Sequence, residues 1–116
     1  MKKFLRIAVD FDGTLCEFAF PKIGEQTPDK KELMDTLIKM REEGHKIMLW
    51  TNRGDNEKYP VLTEAINWCK ERGLEFDSVN QNLPNQKKIS GPSPKIMADI
   101  YIDDLDINIK DWKQIL

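Results

Sequence analysis

The sequence predicts an α/β fold of the three-layer, doubly wound, Rossmann-like type, with a parallel sheet in the strand order 3-2-1-4 and no cap domain. Short apolar runs alternate along the chain with amphipathic helical patterns, which is the order expected for parallel strands joined by right-handed crossovers. The length of 116 residues suits one domain spanning residues 1–116. Polar side chains follow the ends of three of the strand-like runs.

The composition favours a folded domain and excludes several classes of function. Hydrophobic residues make up 40% of the chain and charged residues 33%, which argues against intrinsic disorder. A net charge of −2 gives no overall basic field for nucleic acid, although a local basic patch stays open. Cys16 and Cys69 have no metal-ligand spacing, so we interpret them as reduced thiols, with a single disulfide left open. Without a signal peptide or a long apolar segment, we expect a cytoplasmic protein that does not enter a membrane.

The first half of the chain predicts two strands and one helix. Residues 4–9 form an apolar run typical of a buried strand. Residues at about 16–27 lack helical periodicity and are expected to form a loop or small flap. A helix then begins at Pro28 and ends before Gly44. Residues 45–51, with Trp50 among the apolar side chains, indicate a strand buried on both faces.

The second half continues the alternation. A helix is predicted over residues 59–72 and a short strand over 76–79. Residues 80–94 are polar and rich in proline, as expected of a loop. The last strand is predicted over 99–102, and a short amphipathic helix containing Ile109, Trp112 and Ile115 is expected to finish the chain.

Three predicted strands end in groups that can carry chemistry. The first is followed by Asp10 and Asp12, the second ends at Thr51, and the last is followed by Asp103 and Asp104. Because ligands of such sheets bind beyond the carboxyl ends of the strands, where the strand order reverses, we expect these groups to meet at one edge. Four carboxylates brought together require a compensating cation, and Mg²⁺ uses one or two carboxylates, waters and substrate phosphate.

The same residues suggest a reaction. Thr51, Arg53 and Lys95 supply the hydroxyl, guanidinium and ammonium groups that hold a phosphate. An ionised Asp10 could then attack phosphorus to give an aspartyl-phosphate. Asp12 would protonate the leaving oxygen and later activate the hydrolytic water.

The motifs resemble those of the haloacid dehalogenase superfamily, whose phosphatases carry an apolar strand ending in Asp-x-Asp-x-Thr. Val9-Asp10-Phe11-Asp12-Gly13-Thr14 matches that motif, residues 47–51 match the second, and Ile100-Tyr101-Ile102-Asp103-Asp104 matches the fourth. The resemblance implies a Mg²⁺-dependent phosphomonoester hydrolase, and within the superfamily the chain looks most like the small capless bacterial phosphatases.

Carried over by position, the resemblance assigns a role to each motif residue. It implies that Asp10 is nucleophile and metal ligand and that Asp12 is acid and base, ligating the metal through its backbone carbonyl. It implies that Asp104 completes the metal shell and that Asp103 ligates the metal directly or positions a water. Phosphate binding falls to the residues after the second strand and to one lysine before the last strand: Thr51, Asn52 and Lys95, with Lys87 and Lys88 as alternatives to Lys95.

Several alternatives stay open at this stage. The chain could be a phosphoryl-accepting receiver domain or a non-catalytic phosphate-binding regulatory module. Arg53 could bind phosphate or form a surface ion pair, and Phe18 and Phe20 could contact the substrate or only pack the flap. Sugar phosphates, nucleotides and bulkier phosphoesters all fit an uncapped site, and a homo-oligomer that covers the site fits as well.

Overall fold

A parallel sheet of four strands forms the centre of the protein. The computed structural model describes residues 4–80 and 98–103, and in them the strands follow the order β3-β2-β1-β4. The strands are β1 (Arg6–Val9), β2 (Lys46–Leu49), β3 (Ser78–Val79) and β4 (Ile100–Ile102). The predicted three-layer, doubly wound fold and its strand order are confirmed. The chain runs outward from β1 to β3 and then returns to the other side of β1, so the order reverses at β1.

Two helices connect the first three strands. Helix α1 (Pro28–Glu42) begins with proline in its first turn, and Gly44 follows it with a φ of +105°, a backbone conformation that glycine adopts without a steric penalty. Helix α2 (Val61–Glu71) is capped from a distance by Asp55, whose carboxylate accepts the N–H of Leu62 at 2.8 Å and of Thr63 at 3.0 Å. Hydrogen bonds from the Thr63 hydroxyl and N–H lower the pKa of Asp55.

The main core lies between one face of the sheet and both described helices. Alternate residues of the strands, such as Ile7 and Val9, face the buried side chains of α1 and α2 because successive strand residues point to opposite faces. On the opposite face, Ala8 and Met48 are fully buried and form a second cluster against which Tyr101 packs. The sheet is therefore apolar on both faces, as a parallel sheet is expected to be.

The strands are shorter than the sequence predicted. β1 begins at Arg6 because the N–H of Leu5 donates to Nδ1 of His45 at 2.9 Å instead of joining the ladder. β2 ends at Leu49, so Trp50 lies beyond the strand predicted over residues 45–51; it is 37% exposed and packs edge-on against Tyr101, with ring centroids 5.7 Å apart. The predicted loop over residues 80–94, beyond Asn80, and the predicted C-terminal helix lie outside the described residues. No helix in the described part of the chain is both long enough and apolar enough to cross a bilayer.

Candidate functional site at the carboxyl edge of the sheet

The strands β1, β2 and β4 end in register. Val9 lies opposite Leu49 on one side and Ile102 on the other. The pairing of β1 with β4 extends by one more hydrogen bond, in which the N–H of Asp10 donates to the carbonyl of Ile102 at 2.9 Å. The residues that follow these strands, including Asp10 and Asp103, therefore lie at the same edge of the sheet, as predicted.

Asp10 and Asp103 lie at the place where the strand order reverses. β1 and β4 are neighbours in the sheet but are separated in the chain by the whole excursion through β2 and β3. The ends of such strands diverge into a crevice, which is where ligands of doubly wound sheets bind. The N–H of Phe11 donates to Oδ1 of Asp10 at 2.8 Å, which restrains one oxygen of this carboxylate.

The end of β2 brings a hydroxyl and an amide to the same edge. The N–H of Thr51 donates to Oδ1 of Asn80 at 2.7 Å, and the Thr51 hydroxyl oxygen accepts the N–H of Arg53 at 3.2 Å. A hydroxyl that accepts a hydrogen bond still has its own hydrogen to donate to an anion. Thr51 is half-buried and Asn52 is exposed, so both are accessible for the phosphate-binding role predicted for them.

Arg53 and Asp12 form a bidentate ion pair. Nε of Arg53 donates to Oδ2 of Asp12 at 2.8 Å, and Nη2 donates to Oδ1 at 2.7 Å. Only 2% of Arg53 is exposed, which is rare for an arginine and requires a paired charge. The hydrogen bond and charge of Asp12 raise the pKa of Arg53. Arg53 therefore forms an ion pair, as the second alternative expected, but the guanidinium is buried and not on the surface.

The remaining N–H groups of Arg53 reach three backbone carbonyls. Nη2 also donates to Lys22 at 3.0 Å, and Nη1 donates to Val61 at 3.0 Å and more weakly to Pro21 at 3.5 Å. All five donors of the guanidinium thus have an acceptor. Arg53 joins the end of β1, the flap and the first residue of α2, and the rings of Phe11 and Phe20 lie 5.0 and 5.2 Å from its central carbon.

The segment between β1 and α1 is a flap, with a closed base and an exposed tip. The N–H of Glu17 donates to the carbonyl of Glu25 at 2.7 Å, which closes the base. Gly24 packs so tightly there that a Cβ on it would lie 2.1 Å from the Glu17 carbonyl oxygen. At the tip, Phe18 is 70% exposed and Phe20 is 49% exposed. Apart from one isolated bridge between Asp12 and Cys16, residues 10–27 form neither helix nor strand.

The chain resembles a solved structure over almost its full length. That structure is a conserved protein coded by a locus of Bacteroides thetaiotaomicron; it is 40% identical, and the match covers 97% of this chain and 87% of the other with a TM-score of 0.73. This chain belongs to the same protein family. No family model matches the chain, and no curated protein matches it.

The acids at the edge are of the type that could hold a metal ion. Within residues 4–80 and 98–103, no three His, Cys, Asp or Glu side chains converge as a metal-binding group. The carboxylates of Asp10 and Asp103 are hard oxygen ligands, and two carboxylates are the number that Mg²⁺ uses when phosphate and waters complete its shell. The Asp12 side chain is engaged by Arg53, which is compatible with the predicted use of its backbone carbonyl. The other predicted ligands lie outside the described residues: Lys87, Lys88, Lys95 and Asp104.

The sequence analysis missed one residue and one contact that shape this edge. Asn80 follows β3, has a φ of +52°, and holds the backbone of Thr51 through its side chain. Its position directly after a strand, and the tolerance of asparagine for left-handed backbone, were the available signals. The partnership of Arg53 with Asp12 joins residues 41 positions apart, and no local pattern indicates it.

Proposed function

We propose that the protein is a Mg²⁺-dependent phosphomonoester hydrolase of the haloacid dehalogenase type, with a cytoplasmic location. The single observation that carries the proposal is the position of Asp10 and Asp103 at the carboxyl ends of β1 and β4, where the strand order reverses. The Thr51 hydroxyl at the end of the adjacent β2 supports it. The resemblance of the Asp10–Thr14 motif to those phosphatases supports it further.

Each residue has a chemical role in this reaction. An oxygen of Asp10 attacks phosphorus and forms an aspartyl-phosphate while the bond to the leaving oxygen breaks. Asp12 gives a proton to that leaving oxygen and then accepts one from the water that hydrolyses the intermediate. Thr51, Asn52 and Lys95 bind the phosphate, and Asp10, Asp12, Asp103 and Asp104 hold Mg²⁺. When bound, Mg²⁺ supplies charge neutralisation between phosphate and nucleophile.

A generic aryl phosphate tests the proposal directly. Phosphate release is measured with Mg²⁺ and with a chelator, for the wild type, Asp10→Asn and a control variant, Asp29→Asn. Asp29 is an exposed acid in the first turn of α1, so its substitution leaves the edge of the sheet unchanged. We expect steady Mg²⁺-dependent turnover in the wild type and the control, and none in Asp10→Asn.

Other outcomes would point to the alternative classes. A single stoichiometric phosphorylation that does not turn over would indicate a phosphoryl-accepting receiver. Absence of reaction with aryl phosphates, sugar phosphates, nucleotides and phosphorylated polynucleotide ends, despite a folded protein, would indicate a non-catalytic binding module. Because the flap is small and its tip is exposed, we expect the site to accept bulky phosphoesters in that panel.

A further inference from the structure

We infer that Arg53 is a positioning residue for proton transfer by Asp12; the inference rests on the proposed function. All five guanidinium N–H donors of Arg53 are directed at protein oxygens, so none is left to bind a substrate phosphate. It contacts both carboxylate oxygens of Asp12, the residue proposed to move the proton. Its effect on the reaction is therefore exerted through Asp12.

The pair holds Asp12 in one place. Both oxygens of Asp12 accept hydrogen bonds from the Arg53 guanidinium, at 2.7 and 2.8 Å. Two hydrogen bonds from a planar group fix the plane of the carboxylate as well as its distance. The guanidinium is itself buried and donates to three backbone carbonyls, so Arg53 sets the position of the Asp12 side chain.

Both halves of the proposed reaction need Asp12 in that place. In the first half, the leaving oxygen takes the proton of Asp12 as its bond to phosphorus breaks. In the second half, Asp12 takes a proton from water, whose oxygen attacks the aspartyl-phosphate and releases Asp10. By holding the Asp12 side chain, Arg53 keeps the proton-transfer group aligned with the leaving oxygen and then with the water.

One nitrogen atom of Arg53 binds both Asp12 and the flap. Nη2 of Arg53 donates to Oδ1 of Asp12 and also to the carbonyl of Lys22 in the flap. A lysine in place of Arg53 keeps the charge but presents one compact ammonium, which does not reproduce a planar fork that reaches Asp12, the flap and α2 together. Arg53→Lys therefore keeps the positive charge and removes the geometry, so it tests whether the geometry is what matters.

The test compares two leaving groups. An alkyl phosphate needs its leaving oxygen protonated, whereas a nitrophenyl phosphate has a leaving group stable enough to depart without a proton. We expect Arg53→Lys to lose on the order of 10²-fold in kcat with the alkyl phosphate and less than about tenfold with the nitrophenyl phosphate. Arg72→Lys is the matched control, because Arg72 is exposed and stacks on Trp68 at 3.8 Å away from this pair.

The outcomes separate the inference from the proposed function. Equal losses with both substrates would overturn the positioning role and leave the phosphatase intact, and so would a rise in KM with kcat unchanged, which would indicate a phosphate ligand. An inactive wild type would overturn the proposed function itself.

If Arg53→Lys does not fold, the Nε–H resonance of Arg53 is followed by NMR in the wild type and in Asp12→Asn. A slowly exchanging resonance that is lost in Asp12→Asn supports the inference, and a freely exchanging resonance in the wild type overturns it.

Discussion

The N–H of Asp10 donates to the carbonyl of Ile102 at 2.9 Å. This hydrogen bond extends the pairing of β1 with β4 by one group beyond the last registered residues, Val9 and Ile102. It fixes the start of the Asp10–Thr14 motif against the end of β4, where Asp103 is the next residue. Two segments that are distant in the chain are thereby held at one crevice.

Asp103→Asn should weaken the dependence of activity on Mg²⁺ without destroying the fold. The substitution removes one negative charge from the proposed metal site, so we expect the Mg²⁺ concentration for half-maximal turnover to rise by at least about tenfold. Asp99→Asn is the matched control, since Asp99 precedes β4 at the opposite edge and pairs with Arg6. An unchanged Mg²⁺ dependence in Asp103→Asn would remove Asp103 from the metal site.

Asp12→Asn should destabilise the protein more than a surface substitution does. It leaves the buried Arg53 without its counterion, and the loss of one partner of a buried pair costs about 3–5 kcal/mol. Asp35→Asn breaks an exposed pair with Lys31 and should cost less than about 0.5 kcal/mol. Urea unfolding of both variants measures the difference, and equal midpoints would show that the buried pair contributes no more than the exposed one.

The sequence predicted the sheet and its candidate functional edge because both are encoded locally. Apolar runs ending in a polar residue identify where strands stop, and right-handed crossovers then leave few arrangements for the strands. Asp10, Thr51 and Asp103 could therefore be assigned to one edge without knowing any contact between them. Trp50 was placed in the second strand because of its apolar type, whereas it lies one residue beyond the end of β2.

The anchoring of the flap could not be predicted, for a different reason. The partners of Arg53 in the flap are the carbonyls of Pro21 and Lys22, and every residue of a chain carries a carbonyl. Which carbonyls face a guanidinium depends on the path of the loop, and no pattern of side chains records that path. The pairing of the Asp12 carboxylate with Arg53 could not be predicted either, since an Asp before Gly13 is common in turns and needs no ionic partner there.

The free energy of unfolding should fall as the pH rises above 9.0, because the buried Cys69 thiol keeps its proton only in the folded state. Burial raises the pKa of the Cys69 thiol from 9.0 to about 12, with a smaller effect from the nearby Cys16. The native state keeps a proton that the unfolded chain loses, so the stabilisation is complete below pH 9.0 and is lost as pH rises toward about 12. The free-energy gap between the wild type and Cys69→Ala should narrow by up to about 1.4 kcal/mol per pH unit in that range. A gap that is constant with pH would contradict the prediction.

Gly24→Ala should disrupt the base of the flap. A Cβ at residue 24 would lie 2.1 Å from the Glu17 carbonyl oxygen, and that oxygen belongs to the backbone, so the flap itself must shift. Overpacking of this kind typically costs about 1–3 kcal/mol. Gly54→Ala is the matched control, because a Cβ at Gly54 meets no atom within 4 Å. We expect Gly24→Ala, and not Gly54→Ala, to speed proteolytic cleavage in the flap. Gly24→Ala should also lower turnover, because a displaced flap moves the Lys22 carbonyl away from Arg53. If Gly24→Ala and Gly54→Ala are cleaved and turn over alike, the flap has no part in holding Arg53 against Asp12.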